Sequence, residues 1–308
     1  AAMSTERQGG RILVEQLLIH GADTVFSVPG ESFLPVLDGL HEHRAKVRLV
    51  TCRHESGAAN MAEAHAKLTG RPGVCFVTRG PGATQASVGV HTAFQDSTPM
   101  ILFVGDVGSD FRDREAFQEV DFAAMFAPLA KWAARIDSAE RIPEYVSRAF
   151  TVAMSGRRGP VVLALPEDVL SARATVDDAR MYAPAHAEPG AGEMERLREL
   201  LAAAKRPLVV LGGSGWTPDA CADIRKFAEA NHLPVACAFR FQDLFDNRHA
   251  HYVGDVGVGI NPILAERVRT ADVLLVVGAR MGEMTTSGYT LIDSPVPRQK
   301  LVHVMTGP

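Results

Sequence analysis

The segment Arg48-Leu-Val-Thr-Cys-Arg-His-Glu-Ser-Gly-Ala-Ala-Asn-Met-Ala-Glu-Ala-His-Ala-Lys-Leu-Thr-Gly70 decides how the chain is read. It opens on a strand-length apolar run, 48–52. It then places Ala58, Ala62 and Ala66 four residues apart, the spacing of one helix face. A buried strand thus runs straight into a helix, with Glu55 at the junction, and Gly70 and Pro72 stop the helix. The alanine stripe would let another backbone approach closely, a second subunit being one candidate.

Outward from this segment the same alternation continues. Strands are expected at 24–28, 74–78, 100–104 and 161–165, and helices at 9–20, 56–68 and 83–94. Several strand runs are nearly continuous in Val, Ile, Leu, Phe and Cys, as required when both faces of a parallel sheet are covered. Composition then changes, and 183–192 is rich in Ala, Pro and Gly without periodicity, which reads as a linker. A second alternating block follows. It has helices at 193–204, 219–230 and 262–270, and strands at 208–211, 235–239, 273–277 and 300–304. The expected class is α/β, two tandem doubly wound parallel-sheet domains. Their expected bounds are 1–182 and 193–308, with the linker 183–192 between them.

Composition narrows the function classes. The 308 residues are 46% hydrophobic and 22% charged, with a formal net charge of −4 and no run of Lys or Arg. Nucleic-acid binding, which needs a concentrated basic surface, is not expected. No apolar stretch approaches the ~20 residues that span a bilayer, so no membrane partner is expected. The first seven residues lack the apolar core of a signal peptide, and Ala1 and Ala2 ahead of Met3 read as residues added in cloning. Cys52, Cys75, Cys221 and Cys237 lie far apart with no CxxC pair and read as reduced thiols of a cytoplasmic protein.

Ligands of open parallel sheets sit beyond the carboxyl ends of the strands, which is where Glu55 falls. A glutamate in the first turn of a helix also complements the helix dipole, so spacing alone leaves its role open. His54 and His65 have no partner at metal-ligand spacing, and no protein metal site is expected.

The neighbouring words carry more. Val28-Pro-Gly-Glu-Ser-Phe-Leu-Pro35 closes the first strand and Arg53-His-Glu-Ser-Gly-Ala-Ala59 the second. Thr78-Arg-Gly-Pro-Gly-Ala-Thr84 closes the third. Asp96-Ser-Thr-Pro-Met100, Ala116-Phe-Gln-Glu-Val-Asp121 and Lys131-Trp132 follow. In this order and at these separations they resemble the pyrimidine-binding domain of acetolactate synthase and its relatives, the thiamine-diphosphate-dependent enzymes of 2-oxo acids. The resemblance is dense from Gly21 to Glu167 and looser through the second block, which resembles the family's central domain.

The resemblance implies a decarboxylase or carboligase, a lyase or transferase, acting on a small 2-oxo acid. It implies a homodimer or homotetramer with active sites at the subunit interface. In the family a glutamate hydrogen-bonds the aminopyrimidine N1′, favouring the imino form that removes the thiazolium proton; Glu55 matches it. That chemistry needs a carboxyl able to hold a proton, which an apolar setting favours. Pro29, Gly30, Gly80, Pro81 and Gly82 match positions that approach the cofactor, although a tight strand-to-helix turn also accounts for the last three. Gln118 matches a glutamine lining the active site from the dimer partner's side. Phe117 and Lys131 match substrate-lining positions; ordinary loop packing is the less favoured alternative for both Gln118 and Phe117, and a solvated strand-end lysine the alternative for Lys131.

Departures bear on the substrate. Pro29-Gly30-Glu31 stands where relatives often read Pro-Gly-Gly, and Thr78-Arg79-Gly80 where they read Thr-Ser-Gly. In the second block, Val210-Leu-Gly-Gly-Ser-Gly215 follows a strand and suits a turn approaching a phosphate, and Val277-Gly-Ala-Arg-Met-Gly282 resembles the start of a flavin motif. FAD is therefore one reading of this block and a purely structural domain the favoured one. The family holds the cofactor diphosphate through Mg²⁺ in a third, C-terminal domain bearing Gly-Asp-Gly and a downstream Asn. Here only Gly105-Asp-Val107 and Gly254-Asp-Val256 come near it. The expectation is a fragment of such an enzyme, the alternatives being a non-catalytic binding or regulatory module or one subunit of a split enzyme.

Overall fold

The computed structural model describes residues 5–306, so the reading of Ala1 and Ala2 lies outside the described residues. Two compact units, Ala1–Ala185 and His186–Pro308, divide the chain.

In the first unit the elements are β1 (Arg7–Gln8), α1 (Gly9–Ile19), β2 (Thr24–Ser27), α2 (Leu34–Glu42), β3 (Arg48–Thr51), α3 (Glu55–Thr69), β4 (Gly73–Val77) and α4 (Gly80–Asp96). They continue as β5 (Met100–Asp106), α5 (Phe122–Phe126), β6 (Trp132–Arg135), α6 (Ile142–Met154), β7 (Pro160–Pro166), α7 (Glu167–Ser171) and β8 (Arg173–Ala174). Six strands form one sheet in the order β3-β2-β4-β5-β7-β6, parallel throughout, while β1 and β8 make a small antiparallel pair. Every residue of β4, β5 and β7 is buried, which is why those runs carry no polar alternation. Side chains alternate between two cores. Val74 and Phe76 join Leu13, Leu17 and Phe150 on one face, and Cys75 and Val77 join Ala62, Ala86 and Val90 on the other.

The alanine stripe of α3 is used inside the unit. Ala58, Ala59 and Ala62 are fully buried, and a Cβ added at Gly89 of α4 would lie 2.5 Å from the Ala59 Cβ. One at Gly73 of β4 would lie 1.9 Å from the Ala62 carbonyl oxygen. Ala58, Ala62 and Ala66 are thus already covered inside the same unit, Ala62 by β4, while α4 approaches the neighbouring Ala59.

The second unit comprises α8 (Ala191–Ala203), β9 (Leu208–Leu211), α9 (Pro218–Ala230), β10 (Val235–Ala238), β11 (Tyr252–Val256), α10 (Pro262–Thr270), β12 (Val273–Val277) and β13 (Lys300–Val304). Its sheet runs β11-β10-β9-β12-β13 and is also parallel throughout. Both units are α/β and built on a doubly wound parallel sheet. Helix α8 begins at Ala191, two residues ahead of its expected start.

Among the described residues no helix is long and apolar enough to cross a membrane. All four cysteines are free. Burial pushes the Cys237 thiol up to about 12 and that of Cys75 higher still.

Candidate active site

In the six-stranded sheet β2 is followed by β3 on one side and by β4 on the other, which makes the gap beyond β2 and β4 the switch point where such sheets place ligands. The turns after β2, β3 and β4 meet there. Gly30 follows β2, and a Cβ on it would fall 2.6 Å from the Thr78 Cβ at the end of β4. The hydroxyls of Ser32 and Thr78 are 2.7 Å apart and close the floor of the cluster. Glycine at 30 is what lets these two turns touch.

Glu55 is the first residue of α3, one residue earlier than the expected start, and is half-buried. The preceding His54 caps the helix, its Nδ1 accepting from the Ser56 amide at 3.2 Å. A Cβ added at Gly82 would lie 3.6 Å from Glu55 Oε1, so the carboxylate faces the start of α4. Burial, then Cys52 and last Glu55 disfavour ionisation of the buried Cys75. Among the described residues no hydrogen bond or ion pair engages the Glu55 carboxylate.

The Gly-Pro-Gly stretch is not a loop ahead of a helix. Gly80, Pro81 and Gly82 form the first turn of α4, three residues before the expected start, with proline where its missing N–H costs nothing. Gly80 N–H donates to the Gln118 carbonyl at 3.0 Å, and a Cβ on Gly80 would crowd that oxygen at 2.9 Å. Gly80 therefore brings Gln118 to the turn that faces Glu55.

Residue 118 adopts φ +63°, as do Asp113 (+60°) and Glu115 (+54°) nearby, values that non-glycine residues rarely take. The Glu119 carboxylate supports this segment by accepting from the Asp113 amide at 2.7 Å and the Ala116 amide at 3.1 Å. Those amides hold its pKa below the usual carboxylate range. The Phe117 side chain stands 72% exposed, and the Gln118 amide group has no hydrogen-bond partner among the described residues.

The structure brings together Pro29, Gly30, Glu55, Gly80, Pro81, Gly82, Phe117 and Gln118. It does not bring Lys131 to them. That lysine precedes β6 at the opposite, amino-terminal edge of the sheet, where its amide donates to Pro160 O. Its Nζ donates to the carbonyls of Val152 and Ser155 at the end of α6, and burial lowers its pKa. Two ion pairs at the carboxyl edge were not anticipated: Arg79 with Glu167, and Asp106 with Arg135 at 2.9 Å. Burial raises the Asp106 pKa against the opposing pull of Arg135. Arg79 had a sequence signal, a long cation where relatives carry serine; its partner, 88 residues away, had none.

In the second unit the glycine-rich turns after β9 and β12 interlock. A Cβ at Gly213 (φ +74°) would lie 2.1 Å from Gly278 O, and one at Gly278 (φ +75°) would lie 2.3 Å from Gly212 O. The Gly212 amide donates to Val277 O and the Gly278 amide to Val304 O. These glycines thus serve close backbone approach between neighbouring turns. Among the described residues no group of three His, Cys, Asp or Glu could hold a metal ion.

A parallel α/β unit with a carboxylate at its switch point that no described residue pairs is thus followed by a second α/β unit. Residues 7–125 match the family model described as thiamine pyrophosphate enzyme, N-terminal TPP binding domain, and 194–308 match its central domain. The chain is 31% identical over 300 residues to the acetolactate synthase isozyme 2 large subunit of Escherichia coli (strain K12), covering 97% of this chain and 54% of that protein. It is 33% identical over 305 residues to the acetolactate synthase large subunit of Corynebacterium glutamicum, covering 97% and 48%. With the large subunit of Parasynechococcus marenigrum it shares 34% over 318 residues, covering 97% and 49%. The chain belongs to the thiamine pyrophosphate enzyme family and is acetolactate synthase-like. It spans about half the length of the curated relatives it matches.

Proposed function

We propose that these residues are the pyrimidine-binding and central domains of a thiamine-diphosphate-dependent enzyme that decarboxylates a 2-oxo acid and transfers or releases the remaining acyl unit. The observation that carries this is the half-buried Glu55 carboxylate, which has no partner among the described residues and faces Gly82 at the switch point. Such a group is poised to meet a donor and acceptor supplied by a ligand. The bound cofactor supplies a carbon nucleophile and an electron sink. Glu55 would be the residue that hydrogen-bonds the aminopyrimidine ring nitrogen. Pro29, Gly30 and the Gly80–Gly82 turn shape the wall beside that ring. Phe117 and Gln118 present an apolar and an amide surface to the substrate. Lys131 stays outside the proposed site, its amine already engaged by two carbonyls.

The cofactor's diphosphate and Mg²⁺ would be held by a further segment, since Mg²⁺ needs oxygen ligands beside the phosphates. No step is assigned to a flavin. The protein is inferred to be a homo-oligomer, supported by Met61, Leu68 and Val88, which expose apolar surface on α3 and α4. The test is Glu55→Gln in the whole enzyme. Turnover should fall by about 100-fold or more with the circular dichroism unchanged, and near-full activity would sink the proposal.

A further inference from the structure

Two consecutive residues grip two consecutive carbonyls at the edge of the site. Arg79 Nη1 donates to Phe117 O at 3.2 Å, and the amide of Gly80 donates to Gln118 O at 3.0 Å. The other end of the Arg79 guanidinium pairs with Glu167, the first residue of α7. Strands β4 and β7, which deliver Arg79 and Glu167, are separated by β5. The gap is thus about 10 Å at ordinary strand spacing. An arginine reaches across it and a serine does not.

We infer that Arg79, Gly80 and Glu167 form a clasp that positions Phe117 and Gln118 for the substrate. This rests on the reading of Gln118 as a substrate-facing residue. The 113–118 stretch carries three left-handed non-glycine residues, and such backbone persists only where its surroundings fix it. Glu119 ties the stretch to itself, whereas Arg79 and Gly80 tie its Phe117–Gln118 end to the sheet. The clasp acts on main-chain atoms alone. It leaves the Phe117 ring and the Gln118 amide free to meet a ligand, which makes Arg79 a positioning residue. The Arg79 side chain is 13% exposed and the Glu167 side chain 37%, so the guanidinium is the sheltered end of the pair.

The experiment compares Arg79→Met, Glu167→Gln, Gln118→Ala and the Arg79→Met/Gln118→Ala double variant in the whole enzyme with thiamine diphosphate and Mg²⁺. Arg79→Met should lower kcat/KM by about 10- to 100-fold, the scale of a small misplacement of a substrate-facing group. It should leave the thermal midpoint of the remaining sheet nearly unchanged, and in the Gln118→Ala background it should add no further loss. It should also speed tryptic cleavage after the exposed Arg112 and Arg114. Glu167→Gln, which keeps an acceptor and loses the charge, should fall between wild type and Arg79→Met, and it serves if the methionine variant does not fold. Fully additive losses in the double variant, or unchanged cleavage, would overturn the clasp. Full activity in Gln118→Ala would instead remove the reading of Gln118, and the cleavage rates would still decide whether Arg79 restrains the loop.

Discussion

Single residues show how far a sequence word can be trusted. Glu55 is visible in the sequence because a strand ends and a helix begins around it, yet its lack of a partner is a property of the fold. No spacing rule reports that no donor among the described residues reaches it. His20 is the opposite case, unremarkable in sequence and informative in structure. Its ring is 3% exposed, stacks on Phe150 at 4.8 Å, and accepts from the Tyr182 amide through Nδ1, while Nε2 is buried without a partner. Burial lowers its pKa to about 4 from 6.5. The folded chain therefore resists a proton that the unfolded chain accepts. The stabilisation is complete above pH 6.5 and is lost as pH falls from 6.5 through about 4, a total of about 3 kcal/mol. Urea denaturation across that range should show the slope. In His20→Leu the slope should fall by the share of one histidine, the carboxylates supplying the rest, while above pH 6.5 an offset of about 1–3 kcal/mol from the orphaned Tyr182 amide remains. A slope left unchanged by the substitution would locate the titrating group elsewhere.

At the scale of elements, legibility follows the number of buried faces. β9, α10 and β12 have the bounds their sequence predicts, because each is a periodic or continuous apolar run with a buried face; β13, an exposed edge strand, also has its predicted bounds and owes them to its Leu-Val-His-Val pattern and not to burial. β6 and β11 escaped notice for physical reasons. β6 is an edge strand of four half-buried residues, and β11 contains Gly254 at φ +116° and pairs with β10 through a register shift. The starts of α3 and α4 were read too late because their first turns are built from Glu, Gly and Pro, types that sequence rules assign to turns. The α3–α4 contact gives a two-sided test. Gly57→Ala in α3 meets nothing within 4 Å and should raise stability by about 0.4–1 kcal/mol through helix propensity and reduced unfolded-state entropy. Gly89→Ala in α4 gains the same propensity, but its Cβ would lie 2.5 Å from the Ala59 Cβ and 2.7 Å from the Ala59 carbonyl carbon. Overpacking costs about 1–3 kcal/mol, so the net effect should be destabilising. Denaturant midpoints shifting in the same direction for both variants would contradict this account of the helix interface.

For the whole molecule the question is how much of a cofactor site 308 residues can carry. The switch point gathers residues separated by tens of positions, Gly30 against Thr78 and Glu55 against Gly82, because β3 and β4 lie on opposite sides of β2. Sequence motifs named the members of this cluster, and only the crossing of strands shows that they meet. What the cluster offers is a carboxylate, glycine-lined turns and an amide side chain, all suited to an uncharged ring. A diphosphate asks for a different set, cations or a carboxylate-held Mg²⁺, and among the described residues no group of three metal-ligating side chains exists. The formal net charge of −4 gives the diphosphate no general attraction either. Calorimetric titration of the purified 308-residue chain with thiamine diphosphate should therefore show at most weak binding, equal with and without Mg²⁺. The whole protein should bind tightly only when Mg²⁺ is present. Tight, Mg²⁺-dependent binding by the 308 residues would place the diphosphate on groups assigned here to packing. The Asp106–Arg135 pair at the carboxyl edge would then be the first to mutate, since it is the buried carboxylate nearest in the sheet to the switch point.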